Sequence, residues 1–101
     1  MARLRLRRAA RRDIASAISW YDSERHGLGA EFLADVDSIL RRIREAPLMF
    51  PTVVPQIRRA LLTRFPYGVF FSLEGADLVI LAVSHLHRKP ENWRSDRRVP
   101  R

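Results

Sequence analysis

The sequence contains no cysteine, and Lys89 is the only lysine among its 101 residues. Without cysteine, a disulfide framework and a thiolate metal site are both excluded. No apolar run reaches the ~18 residues of a membrane span, and the amino terminus lacks the apolar stretch and cleavage site of a signal peptide. The three histidines make a poor metal set, because His85 and His87 would share a strand face but no nearby carboxylate completes the geometry. We therefore expect a cytoplasmic protein without membrane contact, metal or other cofactor.

Arginine, unlike lysine, is abundant, and it gives the chain a formal net charge of +8 and a pI near 11.5. Such a charge predicts an anionic partner, either nucleic acid or an acidic protein. Coding bias towards arginine would explain the shortage of lysine equally well, but it does not explain the net charge. With 47% hydrophobic residues, the chain is expected to form one globular domain over residues 1–101.

Hydrophobic periodicity predicts one strand and two helices in the first half of the chain. Residues 3–7 alternate arginine and leucine, which is typical of a half-buried strand whose arginines face solvent or a partner. A helical period follows over residues 9–26 and again over 30–45. Gly27 is suited to a left-handed helix end, and a tight turn is expected at Leu28-Gly29. The two amphipathic helices should form an antiparallel hairpin.

In the second half of the chain, the residue types predict strands. Residues 48–56 contain two prolines and are expected to form an irregular connection, and a polar, basic tail occupies about residues 94–101. Between these segments lie three runs typical of strands, Ile57–Arg64, Tyr67–Leu73 and Leu78–Leu86. The last run is apolar on both faces and should be interior to the sheet. The predicted fold is α+β, a helical hairpin packed on a small antiparallel sheet, in the order β-α-α-β-β-β.

Several short motifs make the chain resemble the RelE/ParE superfamily of toxins over roughly residues 3–94, and the ParE branch most closely. Each motif is weak alone, but their order and spacing together are specific. They are Asp13-Ile14, Trp20-Tyr21, Gly27-Leu28-Gly29 with Phe32-Leu33, Pro47 with Phe50-Pro51, Arg58-Arg59-Ala60-Leu61-Leu62, Phe65-Pro66-Tyr67, and Ala82-Val83 followed by His85, Arg88, Pro90 and Trp93.

The resemblance implies the toxin of a type II toxin–antitoxin pair, of the kind called a plasmid stabilisation system. Its partner would be a cognate antitoxin whose acidic or amphipathic, disordered carboxy-terminal segment wraps the toxin, and operator DNA would be contacted only through that antitoxin. ParE-like members are associated with DNA gyrase inhibition, whereas RelE-like members cleave messenger RNA on the ribosome. A toxin that has lost toxicity and acts as a co-repressor is a third possibility.

A ribonuclease would need groups that move protons and cations that stabilise the developing phosphate charge. The candidates for these roles are Arg58, Arg59, His85, His87 and Arg88. Against this activity, no Asp or Glu occurs between Ala46 and Leu73, so the central strands offer no carboxylate base. No catalytic residue is therefore favoured, and gyrase inhibition by binding is the leading hypothesis.

Antitoxin binding is the role expected of Arg3, Arg5, Arg7, Arg59 and Tyr67. An acidic segment could pair along the amino-terminal strand if that strand lies at a sheet edge. The arginine row could equally be a solvated strand face, and Tyr67 could be a structural aromatic of the hairpin.

Structural roles are expected for several other residues. Trp20 should pack at the boundary between helix and sheet, and Trp93 should anchor the tail. Of Arg58 and Arg59, one should border the core and the other should be exposed. His85 is expected to continue the strand face of Val79, Leu81 and Val83.

Overall fold

The computed structural model of the chain describes residues 3–87. The expectations for Arg88, for Trp93 and for the basic tail over 94–101 lie outside these residues. The elements follow in the order β1 (Arg3–Leu6), α1 (Arg8–Glu24), α2 (Leu28–Glu45), β2 (Thr52–Val54), β3 (Ile57–Leu61), β4 (Tyr67–Glu74) and β5 (Asp77–His85). The predicted α+β order is confirmed, with β2 as an additional strand.

The five strands form one sheet in the order β1-β5-β4-β3-β2. From β2 to β5 every pair of neighbours is antiparallel, as expected, but β1 pairs with β5 in parallel. This difference follows from the connection after β1, which is the helical hairpin and not a tight turn. The hairpin carries the chain to the far edge of the sheet, and the later strands return it to β1. The sheet is therefore mixed, with β1 and β2 at its edges.

The connection predicted to be irregular is largely ordered. A 3₁₀ turn covers Pro47–Met49, and the edge strand β2 follows it. Pro47 begins the 3₁₀ turn, where no N–H is needed, and Pro51 and Pro55 flank β2 without lying in it. The next strand is shorter than expected, since β3 ends at Leu61 and residues 62–66 form the connection to β4.

The helical hairpin covers one face of the sheet with the apolar stripes that the sequence predicts. Its fully or largely buried side chains are Ala10, Ala17, Tyr21, Phe32, Val36, Ile39 and Ile43. Trp20 is more exposed than expected for a packing residue, since 46% of it is accessible, although its ring contacts that of Tyr21. No helix within residues 3–87 is long and apolar enough to cross a membrane.

The junction between the helices depends on two glycines. Gly27 has a φ of 91°, the left-handed conformation that the sequence predicted for it. The expected turn at Leu28-Gly29 is wrong, because α2 already begins at Leu28. A Cβ on Gly29 would lie only 2.7 Å from the carbonyl oxygen of Ile18. Glycine is thus needed at position 29 so that the two helices can approach closely.

A β-bulge at Leu81 changes which side chains of β5 face the helices. Phe71 pairs with Ile80, whereas the adjacent Phe70 pairs with Ala82, so the register shifts by one residue at Leu81. Before the bulge Ile80 faces the core, and after it Val83 does. The expectation that His85 continues the face of Val79 is therefore wrong. Val79 lies on the opposite face, and His85 shares the face of Val83.

A carboxylate from α1 accepts a hydrogen bond from β5 close to the bulge. The backbone N–H of Val83 donates a hydrogen bond to Asp13 Oδ2 at 2.8 Å. A buried backbone N–H needs an acceptor, and the pairing of β1 with β5 already ends at Ile80, before Val83. Asp13 thus joins the first helix to an interior strand. The sequence displays this aspartate as part of a motif, but its partner is 70 residues away.

We predict that Asp13→Ala destabilises the fold by ~1–3 kcal/mol, because the N–H of Val83 would be buried without an acceptor. Urea unfolding followed by circular dichroism measures this free energy. Asp37→Ala is the matched control, since Asp37 is exposed on α2 and its loss should cost no more than ~0.5 kcal/mol. Equal effects of the two substitutions would contradict the role given to Asp13.

Candidate partner-binding surface

The arginine row of β1 lies at a sheet edge and is held by acidic residues of the β4–β5 hairpin. Arg5 approaches Asp77 at 3.1 Å and Glu74 at 3.8 Å, and Arg7 approaches Glu74 at 3.4 Å. Such half-exposed pairs contribute little to stability, but they partly neutralise the row. Among the described residues, Arg3 is the one member of the row without an ion pair. The row is thus a weaker site for an acidic partner than the sequence suggests.

Tyr67 belongs to the core and not to an accessible surface. It is 5% exposed, and its ring packs edge-on against Phe32 with centroids 4.9 Å apart. Its ring also contacts Tyr21 and His85. The structure therefore corrects the expectation that Tyr67 contacts the antitoxin, because almost none of its surface is available to a partner.

The two histidines at the end of β5 lie next to each other. Their ring centroids are 5.9 Å apart, and the backbone N–H of His87 donates to Nδ1 of His85 at 3.0 Å. This hydrogen bond requires an unprotonated Nδ1 on His85. His85 is half-buried against Tyr67, and His87 is exposed. One histidine thus has a structural contact and the other is open to solvent.

Arg58 and Arg59 are both half-buried and lie on opposite faces of the sheet. Neither is the exposed member of the pair that the sequence predicted. Arg58 faces the helices and donates from Nη1 to the carbonyl oxygen of Phe50 at 2.5 Å. From the strand pairing, roughly 16 Å separate the Cα atoms of Arg58 and His85. Arg58 is therefore remote from the histidines at the end of β5 and does not share a site with them.

A carboxylate does reach the connection between β3 and β4, but it comes from α2. Asp35 is 6% exposed and accepts hydrogen bonds from the hydroxyl and N–H of Thr63 and from the N–H groups of Arg64 and Phe65, at 2.8–3.3 Å. Sequence analysis missed this role, because nothing near Asp35 in the sequence marks its distant partners. The carboxylate holds the connection after β3 in place.

The pKa of Asp35 reflects this environment. Burial alone would raise it, but the hydrogen bonds from Arg64, Thr63 and Phe65 outweigh burial and hold the pKa below its ordinary value near 3.8. A carboxylate stabilised as the anion is a weak general base. Asp35 therefore does not replace the base that the central strands lack. Within residues 3–87, no group of three His, Asp or Glu side chains could hold a metal ion.

Exposed apolar side chains mark the edge of the sheet at β2. Leu48 and Met49 are 69% and 77% exposed, and Val53 and Val54 are 41% and 51% exposed. Because β2 is an edge strand, its outer backbone groups are outside the ladder. An apolar edge of this kind is typical of a surface to which another chain adds a strand. The sequence did not indicate it, since the segment was predicted to be irregular.

The sheet face opposite the helices is the second accessible surface, and we call it the open face. It carries Arg59, Leu61 and Gly68 on β3 and β4, with Leu86 beside them after β5. Leu61 is 48% exposed and Leu86 is 39% exposed. The open face and the β2 edge are the described surfaces that combine exposure with features suited to a protein partner.

The fold is shared with a solved structure described as "Chromosomal ParDE TA system from P. aeruginosa". A chain of that structure superposes with a TM-score of 0.78 at 20% sequence identity, and the match covers 86% of this chain and 98% of that chain. No protein-family model and no curated protein matches the chain. At this identity the similarity establishes the fold, and it confirms the ParE-like fold expected from the sequence.

We predict that Asp35→Asn lowers the free energy of unfolding at neutral pH by ~1–3 kcal/mol, because an amide nitrogen would replace one acceptor oxygen. The pKa of Asp35 is lower in the folded state, so its contribution is complete above the unfolded pKa and is lost as pH falls through the folded pKa. Urea unfolding between neutral pH and pH 2 should therefore show a flatter acid dependence for the variant than for the native chain. Identical curves would contradict this account, and Asp37→Asn is the control.

Proposed function

We propose that the protein is the toxin of a toxin–antitoxin pair and acts in the cytoplasm. The observation that carries the proposal is the fold, which matches a chain of a ParDE toxin–antitoxin system over nearly its whole length. The motifs of the ParE branch in the sequence support the same conclusion independently. Maintenance of a plasmid or chromosomal segment is the biological role that accompanies such a pair.

The proposed partner is a cognate antitoxin with an acidic or amphipathic segment that folds on binding. The net charge of +8 supports it, because complementary charge speeds association and selects acidic partners. The apolar β2 edge and the open face would receive that segment, and Arg3 and Arg59 would contribute unpaired positive charge. Operator DNA would be bound through the antitoxin.

The proposed target is DNA gyrase, inhibited by binding and without catalysis by this chain. The dispersion of Arg58, Arg59 and His85 over the sheet supports binding, as does the engagement of Asp35 by four donors. A binding inhibitor needs a complementary surface and no acid–base pair. The choice of gyrase itself comes from the resemblance to ParE.

A second candidate function is a ribosome-dependent messenger RNA endoribonuclease. The observation that favours it is the adjacent pair of histidines at the end of β5, of which His87 is exposed and His85 could exchange a proton through Nε2. Histidine can serve as both acid and base near neutral pH. Arg59 and Arg88 would then supply cations for the phosphate.

We predict that induced expression in a bacterial host arrests growth, and that co-expression of the protein encoded beside it restores growth. Colony counts measure the arrest, and co-purification measures the complex. A folded protein that leaves growth unaffected would contradict toxicity and favour the co-repressor alternative.

We predict that purified protein inhibits gyrase supercoiling of relaxed plasmid and leaves messenger RNA on translating ribosomes intact. The double variant His85→Ala/His87→Ala should inhibit supercoiling within about twofold of the native chain, because a binding mechanism needs no proton transfer by these rings. His26→Ala, in the exposed turn after α1, is the matched control, and circular dichroism checks that each variant folds. RNA cleavage that disappears only in the double variant would instead establish the ribonuclease.

A further inference from the structure

Within residues 3–87, Arg59 has a hydrogen-bond donor that is buried and has no acceptor. Its Nε is inaccessible to solvent and has no hydrogen-bond partner, and the guanidinium forms no ion pair with any described residue. A buried N–H without a partner is costly, and a charged one costs more. Its neighbour Arg58, in contrast, donates to the Phe50 carbonyl. Arg59 is therefore a candidate to donate a hydrogen bond to an acceptor from another molecule.

The position of Arg59 depends on the glycine in the neighbouring strand. A Cβ on Gly68 would lie 3.2 Å from Arg59 Cδ and 3.3 Å from Cγ. The arginine stem therefore lies flat across β4, at the one position where the strand has no side chain. Leu86 Cδ2 would also be 3.3 Å from that Cβ. The side chains of Arg59 and Leu86 thus meet over Gly68.

The surroundings of Arg59 on the open face are mainly apolar. Leu61 is paired with Gly68 and is 48% exposed, and Leu86 is 39% exposed. The described arginines that share this face belong to β1, three strands and roughly 14 Å away. A single guanidinium between two leucines can bind one carboxylate of an otherwise apolar peptide segment. A nucleic-acid backbone, in contrast, requires several cations in a row.

We propose that Arg59 binds a carboxylate of the antitoxin, and that an apolar side chain of the same antitoxin segment packs between Leu61 and Leu86. The proposal rests on the proposed function, since it names the contact by which the antitoxin is recognised. The Nε–H and one Nη–H of a guanidinium can bind both oxygens of a carboxylate side by side. Because Nε is inaccessible to solvent in the free protein, such binding requires the Arg59 side chain to move outwards from Gly68. It then satisfies the donor that residues 3–87 leave without an acceptor.

The chemistry of the site can be tested without the antitoxin, with acetate and inorganic phosphate as probes. NMR of the arginine Nε–H resonances follows each group directly. We expect the Arg59 resonance to shift saturably with acetate, and the resonance of Arg11, exposed on α1, to shift only weakly and without saturation. A saturable response to phosphate that exceeds the response to acetate, or no saturable response of Arg59, would overturn the proposal.

The complex tests the same contact with three variants. Arg59→Gln removes the charge, Arg59→Lys keeps the charge without the Nε–H, and Gly68→Ala displaces the stem by a few tenths of an ångström. Each should raise the Kd for the co-encoded antitoxin at least about tenfold, whereas Arg11→Gln should change it less than about twofold. Thermal melting establishes that the variants fold.

The two experiments separate failure of the contact from failure of the proposed function. If the antitoxin binds the native chain and all three variants equally well, the contact is wrong and the toxin–antitoxin function stands. If the co-encoded protein binds neither native chain nor variants, the proposed function and this partner are both wrong. The acetate titration then still decides whether Arg59 is a carboxylate site.

Discussion

The fold depends on aspartates of the helical hairpin that accept hydrogen bonds from backbone N–H groups of other elements and connections. Asp13 binds the N–H of Val83 at the bulge, Asp35 binds the connection after β3, and Asp22 binds the N–H of Gly29 at the first turn of α2. The bonds of Asp13 and Asp35 join the helices to the sheet and to the connection after β3, so these two carboxylates determine how hairpin and sheet align, whereas Asp22 holds the junction between the helices. Burial of the apolar stripes supplies the main driving force, but it does not specify this alignment.

The same arrangement determines which surfaces remain for function. Because the hairpin covers one face of the sheet, partner contacts are left to the open face, to the sheet edges and to the outer surface of the helices. The bulge at Leu81 turns His85 towards Tyr67 and the core, which separates it from Arg59 on the open face. A protein-binding surface is thus better supported by the structure than a site for acid–base chemistry.

The periodic parts of the fold could be predicted from the sequence. The stripes containing Phe32 and Ile43, the left-handed Gly27 and the interior position of β5 all follow from local patterns. Features created by distant residues could not be predicted. The parallel pairing of β1, the bulge at Leu81 and the acceptor roles of the aspartates depend on which elements meet. The missed β2 edge and the unpaired donor of Arg59 have the same cause, since exposure and hydrogen bonding are properties of the assembled chain.

The central claim is that the protein acts by binding its target and not by catalysis. It is tested most directly by titrating the purified protein against a fixed concentration of gyrase and following supercoiling over time. If the protein acts by binding, the degree of inhibition should not increase with time after mixing. Full inhibition should require at least one toxin molecule for each gyrase subunit that is bound, and added antitoxin should reverse it. Progressive, irreversible loss of activity at toxin concentrations far below that of gyrase would contradict the claim, as would unchanged supercoiling at a large excess of toxin.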